Sequence, residues 1–103
     1  MDDFKAVVDA EEKMGAFFEA HEDEFLKFDR VAHKLSRRPD LHAFMLLDSL
    51  VPGDDYIVCS ASHDEIFLGV EVGDLMKVAT EEQLIDLHRC GVRVGDYGLE
   101  MFA

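Results

Sequence analysis

The chain has 103 residues, enough for one domain with a single core but near the lower end of the usual size range. Apolar residues make up 49% of it, which excludes a disordered composition. A net charge of −13 opposes non-specific binding to nucleic acid or to an anionic membrane, because both require positive potential.

The acidity is spread along the chain. Residues 1–52 carry 12 acidic and 7 basic side chains (−5), and residues 53–103 carry 11 and 3 (−8), so there is no detachable acidic tail. Such a chain either stays apart from other acidic molecules or meets a basic partner surface. Met1-Asp2-Asp3-Phe4-Lys5 lacks the basic start and apolar run of a secretory signal, and the longest apolar run, residues 43–47, is too short to span a bilayer. Cys59 and Cys90 have no C-x-x-C spacing, which reads as two free thiols in a reducing cytosol. With eight Phe and no Trp, the expected core is built from large aromatic units.

From the N-terminus, Val7, Val8, Met14, Phe17, Phe18, Phe25, Phe28, Val31, Ala32 and Leu35 fall in steps of three and four. They form the apolar stripe of one amphipathic helix or of two in series, with Glu11, Glu12, Glu19, Glu22, Asp23 and Lys27 on the opposite face. One helix over residues 3–35 would be roughly 50 Å long and would project from a domain this small. The favoured reading is a break at Gly15 or near His21-Glu22-Asp23; the second is a projecting helix that pairs with another copy through Phe18, Phe25 and Phe28. Arg30, Lys34, Arg37 and Arg38 gather at the far end, where the helix macrodipole favours cations, and read as a helix terminus.

Pro39 suits the first turn of a second helix, because its missing N–H has no intrahelical partner there. Leu41, Phe44, Met45, Leu46, Leu47 and Leu50 make that helix apolar over a wide arc, and Val51-Pro52-Gly53-Asp54-Asp55 ends it. The β-rich run from Tyr56 to Ser62, the polar His63-Asp64-Glu65 and the alternating Ile66, Leu68, Val70 and Val72 read as a hairpin with that alternating set turned to the core. A short helical turn capped by Asp74 follows. Thr80-Glu81-Glu82-Gln83 is a capping box, and Leu84, Ile85, Leu87 and His88 form the stripe behind it. Gly91 stops that helix, and two short runs around Gly95-Asp96-Tyr97-Gly98 close a second hairpin. The two helical segments match a helix-turn-helix in length alone, since the second would present Glu81, Glu82 and Asp86 to DNA phosphates. The expected architecture is α+β in one domain, residues 1–103. A helical half, residues 1–51 with two or three helices, precedes a ββαββ half, residues 54–103, that forms a small antiparallel sheet with helices on one face.

Signals for chemistry are sparse. None of His21, His33, His42, His63 and His88 stands four residues from another, no H-E-x-x-H occurs, and neither a metal nor a cofactor is expected. His21 and His88 fall on apolar stripes and read as hydrogen-bonded core or interface residues. His63, Asp64 and Glu65 place an imidazole beside two carboxylates at an exposed turn, where a general base or divalent-ion contact could be built, although turns favour polar residues for local reasons. Cys90, at a helix C-terminus, has its thiol pKa raised and is a poor nucleophile.

Residues 63–68, 82–93 and 99–102 together resemble small uncharacterised proteins of bacteriophages and prophages, over about residues 56–103. That resemblance implies a bacterial or viral cytoplasmic setting and an accessory role, and it carries over no functional residue. The expected function is therefore non-enzymatic: protein–protein interaction or self-association as a homodimer through the helical half, without direct nucleic-acid binding or membrane insertion. One alternative is an acidic nucleic-acid mimic that occupies the basic surface of a host defence effector. Another is a small metal-dependent or acid–base enzyme using His63, Asp64 or Glu65.

Overall fold

A computed structural model of the chain describes residues 2–53, 56–62, 64–95 and 98–102, with side chains from Val8 onward. Helix α1 (Asp2–Ala20) is the first half of the predicted stripe. Its 19 residues make a rod of about 28 Å at 1.5 Å per residue, which fits within the molecule's 41 Å long axis. Gly15 lies inside α1 and does not break the helix. The break comes at His21. Continuing would place Glu22, Asp23 and Glu24 at the negative end of the macrodipole, and α1 has no basic residue in its last turn.

The rest of the stripe is not helical. Two 3-10 turns, Glu22–Glu24 and Phe28–Arg30, fold the chain back, and Leu26 reverses it with φ of 63°. Only the 3-10 turn Phe28–Arg30 ends at this cluster and no described α-helix does, so Arg30, Lys34, Arg37 and Arg38 are not the terminus of the long stripe helix. Arg30 pairs instead with Glu24, and Lys34 Nζ donates to the Val31 carbonyl (2.9 Å) while sitting 5.2 Å from the Phe28 ring centroid.

Helix α2 (Pro39–Leu50) begins with Pro39 in its first turn, as expected. It buries His42, Ala43 and Leu47, whereas Leu41 and Met45, one turn apart, remain 43% and 49% exposed. The apolar arc is therefore wider than the surface available to cover it. Strands β1 (Val58–Ser62) and β2 (Glu65–Leu68) form the first hairpin, with a bulge between Val58 and Ser60. β2 ends earlier than the alternation suggests. Val70 and Val72 are still buried, but Val72 opens helix α3 (Val72–Val78), whose N-cap position is held by Glu71 without a side-chain bond and not by Asp74.

Helix α4 (Glu81–Arg89) carries the capping box in full: Gln83 N–H donates to Thr80 Oγ1 (3.1 Å) and Thr80 N–H to Gln83 Oε1 (2.9 Å). Gly91 at φ of 100° turns the chain into β3 (Val92–Gly95), which pairs with β4 (Gly98–Phe102). The sheet is antiparallel in the order β1-β2-β4-β3, so β4 joins the two hairpins by pairing with both β2 and β3. Cross-strand partners share a face. Ile66, Met101 and Val92 line one row of the inner face, and Phe67, Glu100 and Arg93 one row of the outer face.

The helices cover the inner face: α1 packs on α3 and β3, α2 on α3, and α4 on β3. The large side chains sealed there are Met14, Leu47, Leu75, Leu87, Val92 and Met101, each contributing on the order of 1.5–3 kcal/mol of transfer free energy. This core is aliphatic, not aromatic. Among the described Phe side chains only Phe18 is buried; Phe17, Phe28 and Phe44 wedge against the core from its margins.

Candidate interaction surfaces

The 3-10 segment is pinned to α4 by charge. Glu24 pairs with Arg30 and with Arg89, whose Nε donates to Glu24 Oε2 at 2.6 Å, and Arg89 also pairs with Asp86 at 3.0 Å. The Arg89 guanidinium holds the Glu24 carboxyl below the usual carboxylate range; partial burial opposes this, and Arg30 adds to it. Leu26 N–H donates to the His88 carbonyl at 3.2 Å, which fixes the reversal against the end of α4.

That arrangement decides where the three singled-out phenylalanines lie. Phe18 is 4% exposed and stacks on His88, Phe25 tilts against the same imidazole at 5.0 Å, and Phe28 meets His42 edge-on at 5.7 Å. The Phe18 ring is thus covered from within its own chain, and Phe28 packs against the core. His88 Nδ1 donates to the Val92 carbonyl (2.8 Å), so the neutral ring carries its lone pair on Nε2, which is buried without a hydrogen-bond partner among the described residues. His42 Nδ1 accepts from Leu35 N–H (3.0 Å), leaving a buried Nε2–H that is likewise unpartnered. Burial pushes both imidazoles down from the ordinary histidine range.

At the first hairpin, His63 lies outside the described residues. Asp64 is exposed. Glu65 is committed to Arg93 on the sheet's outer face, where Arg93 Nε also approaches Glu100 at 3.8 Å. Glu100 is 7% exposed and its carboxylate lies over Gly95, where a Cβ would meet it at 1.5 Å. Among the described residues, no three His, Cys, Asp or Glu side chains are grouped to hold a metal ion. Cys90 is buried, with its thiol pKa raised to about 12 by that burial and then by the charges of Asp86 and Asp40; Cys59 is free and exposed.

Two concavities adjoin these residues. A cleft of about 320 Å³ runs between the end of α1 and β3, with Glu19 and Glu22 on its rim and Phe18, Phe25 and His88 along its wall. A second, of about 390 Å³, is an apolar groove lined by Leu26, Pro39, Asp40, Cys90, Met101 and Phe102. Leu26 and Phe102, 47% and 40% exposed, form its open part. The sequence reading missed this groove. Its one early sign is Leu26, an apolar residue that falls outside the stripe running through Phe25 and Phe28.

No family model matches the chain, and no curated protein or solved structure shows significant similarity to it. No helix among the described residues is long and apolar enough to cross a membrane.

Proposed function

We propose that this small acidic protein acts by binding another protein, and that the apolar groove between Leu26 and Phe102 is its docking surface. The single observation that carries this reading is the exposure of both side chains at the mouth of a concavity that holds one large apolar anchor. The partner that fits is a protein segment presenting an apolar side chain beside a cation, for Asp40 stands on the groove's rim and the whole chain carries −13. The resemblance to phage and prophage proteins belongs to the same reading, as an accessory role in a bacterial cytoplasm. The test is affinity purification from the native host with wild-type protein and with Phe102→Asp, followed by cross-link mapping. The reading expects a partner that Phe102→Asp loses and whose cross-links surround Leu26 and Asp40. A partner retained by Phe102→Asp would sink it.

The second reading, an acidic mimic of nucleic acid, draws on the exposed carboxylates of Asp9, Glu12, Glu19, Glu22 and Asp23, which extend along α1 and past its end. Its test is competition: the protein should displace DNA from a basic host effector, and unchanged DNA binding would remove the idea. The enzyme alternative has less support, because Glu65 is engaged with Arg93 and Asp64 stands exposed at the turn.

A further inference from the structure

The sheet has two edges, and the fold treats them differently. At β3, Phe102 N–H donates to the Gly91 carbonyl (2.9 Å), so the alternating ladder turns Val92 and Val94 outward, away from β4. That edge is engaged within the chain: the outward-facing Val92 carbonyl accepts from His88 Nδ1. Among the described residues, β1 has no such partner on its outer side. Cys59, Ser60, Ala61 and Ser62 are all exposed, although Ala61 points to the face that the helices occupy elsewhere. Ser62 and Glu65 close the turn of the first hairpin and exchange the ladder bonds there, so Ser62 and Ser60 bond toward β2 while the N–H and C=O of Ala61 face out.

Unpaired edges are normally blunted by a charge, by Pro or by a covering element. β1 carries none of the first two, in a chain of which 32% is charged, and residues 56–63 are its longest stretch without Asp, Glu, Lys or Arg. The bulge at the Val58 end leaves residues 60–62 in regular register. A net charge of −13 sets two copies of this molecule against each other over most of their surfaces. β1 itself adds no charged side chain to that repulsion. Tyr56, just before it, is 86% exposed.

We propose that β1 pairs antiparallel with the β1 of a second copy, about a two-fold axis at Ala61, joining two four-stranded sheets into one of eight. Each Ala61 then gives its N–H to the other's carbonyl, and small neutral side chains face each other across the axis. This proposal is independent of the groove and replaces the helical half as the site of self-association.

The experiment is the mass of the full chain in solution, by sedimentation equilibrium over a concentration series, for wild type, Ala61→Glu and Ala61→Lys. Like charges directly opposite each other across the axis disfavour pairing, and opposite charges restore it. The expected result is a dimer for wild type, monomers of 11.7 kDa for each variant alone, and a dimer when the two variants are mixed. Mixing does not rescue variants that are merely misfolded. A wild-type chain that stays monomeric to its solubility limit overturns the proposal, and so do variants that both remain dimeric. Phe102→Asp should leave the dimer intact, which separates this outcome from a failure of the groove reading.

Discussion

The imidazole of His88 lies parallel to the ring of Phe18, with centroids 4.5 Å apart and planes 4° apart. The pair joins α1 to α4, and Phe25 closes on the same imidazole. A proton added to His88 would sit between aromatic rings, largely removed from water.

Stability should therefore fall as the pH drops below the histidine range. His88 and His42 both have pKa values lowered by burial, so the unfolded chain binds more protons than the folded one once the pH passes below 6.5. The stability linked to their neutral forms is full above 6.5 and is lost as the pH falls through the lower, folded values. Urea denaturation between about pH 7.5 and about pH 5 should show the midpoint decreasing, and His88→Phe should flatten that slope. Glu24 adds its own loss only below 4.5.

Gly91→Ala should cost about 2 kcal/mol or more. A left-handed backbone costs an L-residue roughly 1–2 kcal/mol, and the added Cβ would stand 2.9 Å from both the Phe102 carbonyl oxygen and Leu26 Cδ2. Gly53→Ala is the control, since among the described residues nothing beyond its chain neighbours lies within 4 Å of the new carbon. Urea midpoints of the two variants should differ clearly, and a near-neutral Gly91→Ala would contradict the geometry.

Thr80→Ala removes one arm of the capping box and should destabilise the protein by about 1 kcal/mol, with Thr80→Ser retaining most of it. Thermal unfolding of the three proteins gives the comparison.

Glu24→Gln should loosen residues 21–31 without unfolding the sheet. Hydrogen exchange should quicken at Leu26, Arg30 and Val31, whose amides are bonded within this segment or to α4, and remain slow in β4. Added salt should reproduce part of the effect in the wild type, because Arg30 is 48% exposed.

Thiol titration should count one reactive cysteine in the folded protein. Cys59 is exposed, whereas the Cys90 thiol is buried with a pKa of about 12, so a maleimide should modify Cys59 promptly and Cys90 only in denaturant.

The features that could be read from sequence are those with local causes. The capping box, the Gly91 stop, Pro39 at the start of α2 and the presence of both hairpins depend on residues a few positions apart and stand as their patterns indicate, although the first hairpin ends at Leu68, short of Val70 and Val72. The α+β architecture followed from their order. What escaped depends on contacts distant in sequence. The chain reversal at Leu26 rests on Glu24 reaching Arg89 and on Leu26 bonding to His88, and no periodicity reveals a partner more than 60 residues away. The apolar steps at Phe25, Phe28 and Val31 have helical spacing because that spacing also suits two 3-10 turns laid against a core. The placement of Phe18 beside His88, and the groove between Leu26 and Phe102, are products of that reversal. The candidate surfaces were accordingly the least visible part.

The position of β4 between β2 and β3 has a consequence for how the molecule is made. Until residues 98–102 leave the ribosome, β2 has one bare side and β3 has no neighbour in the sheet at all. Helices α1 to α4 can form earlier, but they have no finished surface to close on. The last hairpin acts as a keystone: the four-stranded sheet cannot assemble before residues 98–102 are made, and the closing step then joins the two hairpins.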